Sequence, residues 1–292
     1  MSYKRIIPES ELILNDDGSI FHLHLKPEQV SDKIILVGDP ARVDIIGAYL
    51  SDIECSVTNR EFHTITGTYK GKRITVISHG IGGDNIDIVL SELDALKNIN
   101  FTTRTVNLKF EQLSLVRIGT CGGLQPIVPV GSFVASAFSI GYDCVPFFYK
   151  DNAKVRNLAL EEAFMQHSHW QIPNMRPYAV NNDPELLSRI IKGDIVQGIT
   201  ISGNGFYGPQ GRELRLPLTD PGFNKKLEDF KFKEYRITNY EMESAALASL
   251  AALMGHKALT VCAVIAGRYH KDMNTNYKNS MIDLIEKVLD RI

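Results

Sequence analysis

Residues 117–123, with the sequence RIGTCGG, place an arginine, a threonine and three glycines directly after an apolar stretch. Such a stretch predicts a buried strand that opens into a glycine-rich turn, and ligands of α/β sheets bind at such strand ends. Arg117 can hold a phosphate through two parallel hydrogen bonds, and glycine N–H groups can approach an anion closely. The alternative is a tight turn with a surface arginine. The run therefore favours a phosphate site, which would restrict the chemistry to substrates with an oxyanion.

A second glycine-bearing strand end, Gly38-Asp39-Pro40-Ala41-Arg42, offers another guanidinium. Arg42 alone is more often a surface residue, but Arg42 and Arg117 together can hold one phosphate. Neither run matches the Gly-x-Gly-x-x-Gly pattern of dinucleotide sites or the Walker A pattern. Dinucleotide and nucleoside triphosphate sites are thus disfavoured.

Residues 239–244, NYEMES, lie at the predicted start of a long helix. Acidic residues near a helix N-terminus interact favourably with the helix dipole, which explains them without any function. A carboxylate held at a strand–helix junction can also accept two hydrogen bonds from vicinal hydroxyls such as those of ribose. Met242 would then pack against the sugar face.

Residues 206–212, FYGPQGR, form a predicted loop because glycine precedes proline. Gln210 offers a donor beside an acceptor, which suits an amide-like edge, and Arg212 can donate to a carbonyl. With Phe206 stacked on a flat ring, this set matches the O2–N3–O4 edge of uracil. Alone, the segment is equally an ordinary surface turn.

The elements that must position these residues alternate along the chain. This alternation predicts a single-domain, three-layer α/β/α fold with a mixed central β-sheet over residues 20–292, after an N-terminal extension over residues 1–19. Residues 141–177 are rich in aromatic side chains and are either a helical excursion over the site or a subunit contact. Strands are predicted over 33–37, 73–78, 113–118, 194–201 and 259–265, and helices over 42–50, 85–97, 240–254 and 280–292.

Composition excludes several classes of function. The 292 residues are 44% hydrophobic with a formal net charge of −2, and no basic cluster with interleaved aromatics occurs, so neither nucleic acid nor a membrane is an expected partner. The four cysteines lack zinc-ligand spacing. Cys121 is expected to be a small buried residue rather than a nucleophile. A cytoplasmic protein with reduced thiols is the expectation.

Six motifs in this order resemble those of the nucleoside phosphorylase-I family, from about residue 21 to the C-terminus. The similarity is greatest to the members of that family that cleave uridine. The motifs are Gly-Asp-Pro-x-Arg at 38–42, Arg-Glu-Phe at 60–62, Gly-Ile-Gly-Gly at 80–83, Arg-Ile-Gly-Thr at 117–120, Phe-Tyr-x-x-Gln-x-Arg at 206–212 and Glu-Met-Glu-Ser at 241–244.

The resemblance implies a role for each matching residue. It implies a homo-oligomer whose active sites are shared across a dimer interface, because Arg60 and His22, with Phe21, would serve the neighbouring subunit's site. Whether such dimers assemble further into a hexamer stays open. The implied ligands are Gly38, Arg42, Arg60, Arg117 and Thr120 for phosphate, His22, Met242 and Glu243 for ribose, and Phe206, Gln210 and Arg212 for the base.

The resemblance also implies a monovalent cation, K⁺, at the dimer interface, with Glu61 and Ile81 as ligands. Asn85 stands where relatives have a small hydroxyl residue as the third ligand. Phosphate would be a co-substrate, and no redox cofactor or catalytic metal is implied.

The choice of base rests on two places. Purine-cleaving relatives carry an aspartate soon after the last core strand, where this chain has Arg268. Arg268 and the Gln210–Arg212 pair favour reversible phosphorolysis of uridine, with these three residues, Arg42 and Arg117 as the catalytic groups. The nearest alternative is a purine nucleoside phosphorylase of the same family. A nucleoside hydrolase or a non-catalytic nucleoside sensor agrees less well with the combined phosphate, ribose and base motifs.

Overall fold

A computed structural model describes residues 5–268, 272–274 and 276–292. Its helices are α1 (Pro40–Gly47), α2 (Gly83–Asn98), α3 (Leu158–Ser168), α4 (Pro184–Ile191), α5 (Phe223–Asp229), α6 (Ser244–Met254) and α7 (Lys278–Arg291). Its strands are β1 (Lys33–Val37), β2 (Ser51–Asn59), β3 (Phe62–Tyr69), β4 (Lys72–Ser78), β5 (Ile99–Asn100), β6 (Thr105–Val106), β7 (Ser114–Gly123), β8 (Phe133–Gly141), β9 (Tyr178–Asn181), β10 (Val196–Ser202), β11 (Lys231–Phe232), β12 (Tyr235–Glu241), β13 (Lys257–Gly267) and β14 (Asp272–Met273).

The central sheet is mixed, as predicted. Along its main path the strand order is β11-β12-β10-β8-β13-β7-β1-β4-β3-β2, with β9 beside β8 and β14 beside β13. Neighbouring strands are parallel along β4–β1–β7–β13 and along β8–β10–β12, whereas β13 pairs with β8 antiparallel.

The sheet also closes on itself at one place. Strand β12 pairs with β10 and, through Asn239 and Tyr240, with Gly123 and Gly122 of β7. Strands β7, β13, β8, β10 and β12 therefore form a ring. This closure brings the end of β12 against the end of β7, two segments more than 100 residues apart in the chain.

Both faces of the sheet are covered by helices, which explains the continuous apolar strands. Along β1, Ile34 and Leu36 pack with α2 and α6, whereas Ile35 and Val37 pack with α1, α4 and α7. The predicted layers of helix, sheet and helix are confirmed.

Two predicted element boundaries were wrong in ways that matter for function. The predicted glycine turn after Ile118 is instead a continuation of β7 to Gly123, paired with β13 and β12. The predicted helix from residue 240 begins at Ser244, because Tyr240 and Glu241 complete β12.

The two segments without a predicted structure are both packed. The aromatic segment 141–177 contains α3, and its Tyr142 and Phe164 are buried against β10, β12 and α5. Within the N-terminal extension, Leu12 is buried in the cluster formed with α2 and α6. No helix in the described ranges is both long enough and apolar enough to traverse a lipid bilayer.

Candidate active site

A cavity of about 1240 Å³ opens at the carboxyl ends of β1, β7 and β13 and beside the end of β12. It collects almost the whole predicted site from five separate parts of the chain. The predicted phosphate, ribose and base residues that line it are Gly38, Arg42, Arg117, Thr120, Phe206, Gln210, Arg212, Met242, Glu243 and Arg268, joined by Glu61 and Ile81.

The first arginine of the phosphate end, Arg42, stands on the first turn of α1. Asp39 caps this helix by accepting a hydrogen bond from the Ala41 N–H at 3.0 Å, and Pro40 follows it. The Arg42 guanidinium is buried and donates to the Ile118 carbonyl at 3.2 Å, which fixes its direction. Burial lowers the pKa of Arg42, but an arginine stays protonated in proteins.

Arg117 lies in β7 and is only 4% exposed. Its Nη1 donates to Glu241 Oε2 at 2.8 Å, and its Nη2 contacts Glu243 Oε2. Burial disfavours the charged form of Arg117, but the carboxylates of Glu243 and Glu241 outweigh this effect and raise the pKa of Arg117 overall. The predicted phosphate ligand is thus held between two buried acids in the free chain.

His79, directly after β4, completes this cluster and was missed by sequence reasoning. It is fully buried, and its Nε2 lies 3.2 Å from Arg117 Nε. Burial, with the charges of Arg117 and Arg42, lowers the pKa of His79 well below its usual range, so the imidazole is neutral and its Nε2 accepts a hydrogen bond from Arg117 Nε. The sequence feature that could have identified His79 is its position between a predicted buried strand and a glycine-rich run.

The glycines of β7 leave room for the arginine beside them. A Cβ on Gly119 would lie 2.7 Å from Arg117 Nη1 and 3.0 Å from Cys262 Sγ. Cys121 lines the cavity, but burial raises the pKa of its thiol well above the usual range, which keeps it protonated. The expectation of a buried thiol rather than a nucleophile agrees with this environment.

The residues predicted to bind ribose lie at the junction between β12 and α6. Glu243 is the residue before the helix, and its Oε1 accepts a hydrogen bond from the Gly82 N–H at 2.8 Å. Burial raises the pKa of the Glu243 carboxyl. Glu241, which was not predicted as a site residue, faces the same cavity two residues earlier.

At the base end, Gln210 is 3% exposed and its Oε1 accepts a hydrogen bond from Arg212 Nη1 at 2.7 Å. The Arg212 guanidinium lies 3.7 Å above the Phe206 ring, and Arg268 Nη2 donates to the Gln210 carbonyl at 3.1 Å. Burial, with the nearby charge of Arg268, lowers the pKa of Arg212 to about 10. This end of the cavity is therefore a set of hydrogen-bond donors next to an aromatic face.

Tyr240 and Asn224 support the base end and were also missed. The Tyr240 hydroxyl donates to Asn224 Oδ1 at 3.0 Å, and Asn224 Nδ2 donates to the Gln210 and Gly211 carbonyls at 3.4 Å. Tyr240 could have been suspected because it adjoins the Glu-Met-Glu motif. Asn224 carries no local signal, since only the fold brings it to this loop.

His22 and Arg60 do not line the cavity of their own chain. Arg60 is exposed in the turn between β2 and β3 with φ at 54°, and the adjacent Asn59 donates to the His22 carbonyl at 2.8 Å. His22 Nδ1 lies 2.7 Å from Glu92 Oε1. The two residues expected to reach a neighbouring site thus lie close together outside this one.

The proposed cation ligands Glu61 and Ile81 lie at the cavity edge with Asn85. Asn85 Nδ2 donates to the Ile81 carbonyl at 3.3 Å, so this oxygen already has a partner. One chain therefore offers one carboxylate and one engaged carbonyl, which do not complete a cation shell. No cluster of three or more His, Cys, Asp or Glu residues suited to a metal occurs in the described part of the chain.

The fold and this cavity define an α/β protein in which the residues predicted to bind an anion, a sugar and a base line one cleft. Residues 32–290 match the phosphorylase superfamily, and the chain belongs to that superfamily.

The individual relatives include both uridine phosphorylases and purine nucleoside phosphorylases. The chain is 31% identical to the uridine phosphorylase of Thermococcus kodakarensis over 253 residues, which cover 87% of this chain and 79% of the relative. It is 25% identical to the DeoD-type purine nucleoside phosphorylase of Bacillus subtilis over 83% of this chain and 85% of the relative. Among solved structures, a Trypanosoma brucei nucleoside phosphorylase described as having uridine phosphorylase activity superposes with a TM-score of 0.87 at 28% identity, covering 97% of this chain and 100% of that one.

Proposed function

We propose that this chain is a pentosyltransferase that cleaves uridine with phosphate to uracil and ribose 1-phosphate, reversibly, in pyrimidine nucleoside salvage. One observation carries the proposal: a single cavity holds arginines for an oxyanion, a carboxylate for a diol and a donor set for a uracil edge. The uridine phosphorylases among its relatives support the same reaction.

Phosphate is the nucleophile of the proposed reaction. Arg42 and Arg117 bind it beneath the ribose together with Thr120 and the Gly38 backbone, while Glu243 holds the ribose hydroxyls and Met242 packs against the sugar. As the glycosidic bond breaks, positive charge develops at C1′, and the adjacent phosphate both stabilises that charge and forms the new bond. The proposed reaction needs no redox cofactor or catalytic metal, because phosphate, the second substrate, is itself the nucleophile.

Uracil leaves with negative charge on O2 and O4. Arg212 and Gln210 donate to this charge and Arg268 supports them, so catalysis at this end is electrostatic and not covalent. Loss of one such donor costs about 10²–10³ in rate, or roughly 3–4 kcal/mol. We therefore expect Arg212→Ala to lower the turnover of uridine far more than it weakens phosphate binding; equal losses in both would contradict the assigned role.

A purine nucleoside is the second candidate substrate. Asp272 lines the same cavity shortly after the last long strand, where an acid could serve a purine, and one class of relatives bears a purine phosphorylase name. Against it, Arg268 also lines the cavity and donates to the Gln210 carbonyl.

The test is release of uracil from uridine with and without phosphate, with inosine in parallel. Uracil release only with phosphate, and no reaction of inosine, would support the proposal. Cleavage of inosine would move the base assignment to purines, and cleavage of uridine without phosphate would indicate a hydrolase.

We further propose a cytoplasmic homo-oligomer in which Arg60 and His22 complete the neighbouring subunit's site. Arg60→Ala should abolish activity, whereas His22→Ala should only weaken it. Mixing the inactive Arg60→Ala variant with the strongly impaired Arg212→Ala variant should raise activity above that of either variant alone, because each mixed dimer contains one intact site. An absence of rescue after verified subunit exchange would contradict shared sites. A K⁺ ion at Glu61 and Ile81 would require oxygen ligands from that second copy.

A further inference from the structure

The two carboxylates that bind Arg117 differ in how firmly they are held. The Glu241 carboxylate also accepts hydrogen bonds from the Ser244 N–H at 2.9 Å, the Ser244 hydroxyl at 2.6 Å and the Glu243 N–H at 2.9 Å. Apart from Arg117, the Glu243 carboxylate accepts a hydrogen bond from the Gly82 N–H at 2.8 Å, and the Met242 backbone adds a smaller contribution. Glu241 would therefore stay in place if its bond to Arg117 were broken, whereas Glu243 would keep fewer hydrogen bonds.

The site proposed for phosphate has no net charge before the anion binds. Arg117 and the neighbouring Arg42 contribute two positive charges, and Glu241 and Glu243 contribute two negative charges. Arg117 and its two acids have side chains no more than 5% exposed. In such a setting an unpaired charge is costly, so a phosphate and the Glu243 carboxylate cannot both be accommodated beside one guanidinium without competition. Burial raises the pKa of Glu243, and the negative charge of Glu241 adds to that effect, whereas Arg117 opposes it.

The Glu243 carboxylate has a second possible set of hydrogen-bond donors. It stands at the N-terminal end of α6, faces the cavity, and is the carboxylate that the proposed function assigns to the ribose hydroxyls. A carboxylate that leaves Arg117 can therefore exchange a guanidinium for two hydroxyl donors.

We infer that phosphate displaces Glu243 from Arg117 and that the released carboxylate then binds the ribose hydroxyls, so that one ion-pair exchange couples the two substrates. Glu241 is the positioning residue that holds Arg117 in place during this exchange. The inference rests on the proposed function.

Two consequences follow from thermodynamic linkage. Phosphate alone binds weakly, because it must first break the Arg117–Glu243 pair, and each substrate raises the affinity for the other by the same factor. Removing the Glu243 charge should therefore tighten phosphate binding in the absence of any nucleoside.

The first experiment measures the Kd of inorganic phosphate by calorimetry without nucleoside, for the wild type, Glu243→Gln and the control Glu228→Gln. Glu228 is a carboxylate that lines the same cavity, and its described side-chain contact is with Lys225. We expect Glu243→Gln to bind phosphate about tenfold more tightly, within the range usual for coupled sites, and Glu228→Gln to change far less. Equal Kd values for the two variants would overturn the inference, because only a general effect of charge would remain.

Glu241→Gln tests the positioning role, since it removes an equal charge from the same guanidinium. We expect it to weaken phosphate binding or leave it unchanged, because Arg117 loses its fixed anchor; tightening equal to that of Glu243→Gln would refute the role. If Glu243→Gln does not fold, Glu243→Ala, which also removes the charge, takes its place.

A second measurement uses sulfate as an unreactive anion and uridine as the titrant. Sulfate should lower the Kd of uridine for the wild type, and this factor should fall towards one in Glu243→Gln; an unchanged factor would overturn the coupling. A wild type that binds no phosphate would refute the proposed function and the inference with it. A wild type that binds phosphate with no difference between variants would refute the inference alone.

Discussion

Replacing Gly211 by alanine should damage base recognition while sparing phosphate. Gly211 has a φ of +66°, and a Cβ there would lie 2.3 Å from Asn224 Nδ2 and 2.7 Å from Asn224 Cγ. The left-handed backbone alone costs a non-glycine residue about 1–2 kcal/mol. The contact with Asn224 is added to this cost, because carbon and nitrogen cannot approach to that distance and one of them must move.

The displaced group is the one that fixes the base-binding loop. Asn224 connects the Tyr240 hydroxyl to the Gln210 and Gly211 carbonyls, so its movement releases Gln210 from its position. A misplacement of about 1 Å can cost roughly 10²-fold in rate. We therefore expect kcat/KM for uridine to fall about 10- to 100-fold, equivalent to about 1.4–2.7 kcal/mol of transition-state stabilisation.

Gly71→Ala is the matched control. Gly71 lies in the turn between β3 and β4 with a φ of +79°, and nothing lies within 4 Å of its added Cβ. Both variants carry the backbone strain and should lower the melting temperature by about 2 °C for each kcal/mol of that strain. Only Gly211→Ala should lose activity. The reasoning would be refuted if Gly211→Ala kept the wild-type kcat/KM for uridine. It would also be refuted if the KM for phosphate rose by the same factor as kcat/KM for uridine fell.

Two further variants separate the phosphate end from general stability. Gly119→Ala would place its Cβ 2.7 Å from Arg117 Nη1 and 3.0 Å from Cys262 Sγ, so it should weaken phosphate binding more than uridine binding, as titration of each ligand would reveal; the reverse order would contradict this. Asp194→Asn removes a carboxylate whose pKa is lowered by hydrogen bonds from Arg291 and Lys287. Because the folded-state pKa is depressed, this carboxylate stabilises the fold above about pH 4 and stops doing so as the pH falls further. Because Asp194 is exposed, Asp194→Asn should lower the free energy of unfolding by less than about 1 kcal/mol at pH 7. Urea unfolding should show a smaller difference between variant and wild type at pH 3 than at pH 7. A larger difference at pH 3 would refute this prediction.

The chemistry-bearing motifs were predictable because each is local. Gly38 with Arg42, Arg117 with Thr120, and Met242 with Glu243 each lie within a few residues of one another, and the alternation of strands and helices indicates which strand ends they follow. The fold then had to bring these ends to one edge of the sheet, as parallel strands do.

What could not be predicted depends on contacts between distant segments. The glycines after Ile118 are typical of a turn, but their role is close packing: a Cβ on Gly123 would lie 2.6 Å from the Val128 carbonyl oxygen. Likewise Tyr240 and Glu241 belong to β12 because they lie beside β7 and β10. Asn224 meets Gln210 only after α5 has packed against β12.

The closed ring of strands divides the site into a fixed part and a replaceable part. Arg117, Thr120 and Glu241 belong to strands that the ring holds on both sides, whereas Phe206, Gln210 and Arg212 lie in the connection from β10 to α5, outside the sheet. Changes of sequence or length in that connection leave the pairing of the ring untouched. Evolution can thus alter base recognition through this loop and through Arg268 after β13, without rebuilding the strands that hold Arg117 and Glu241.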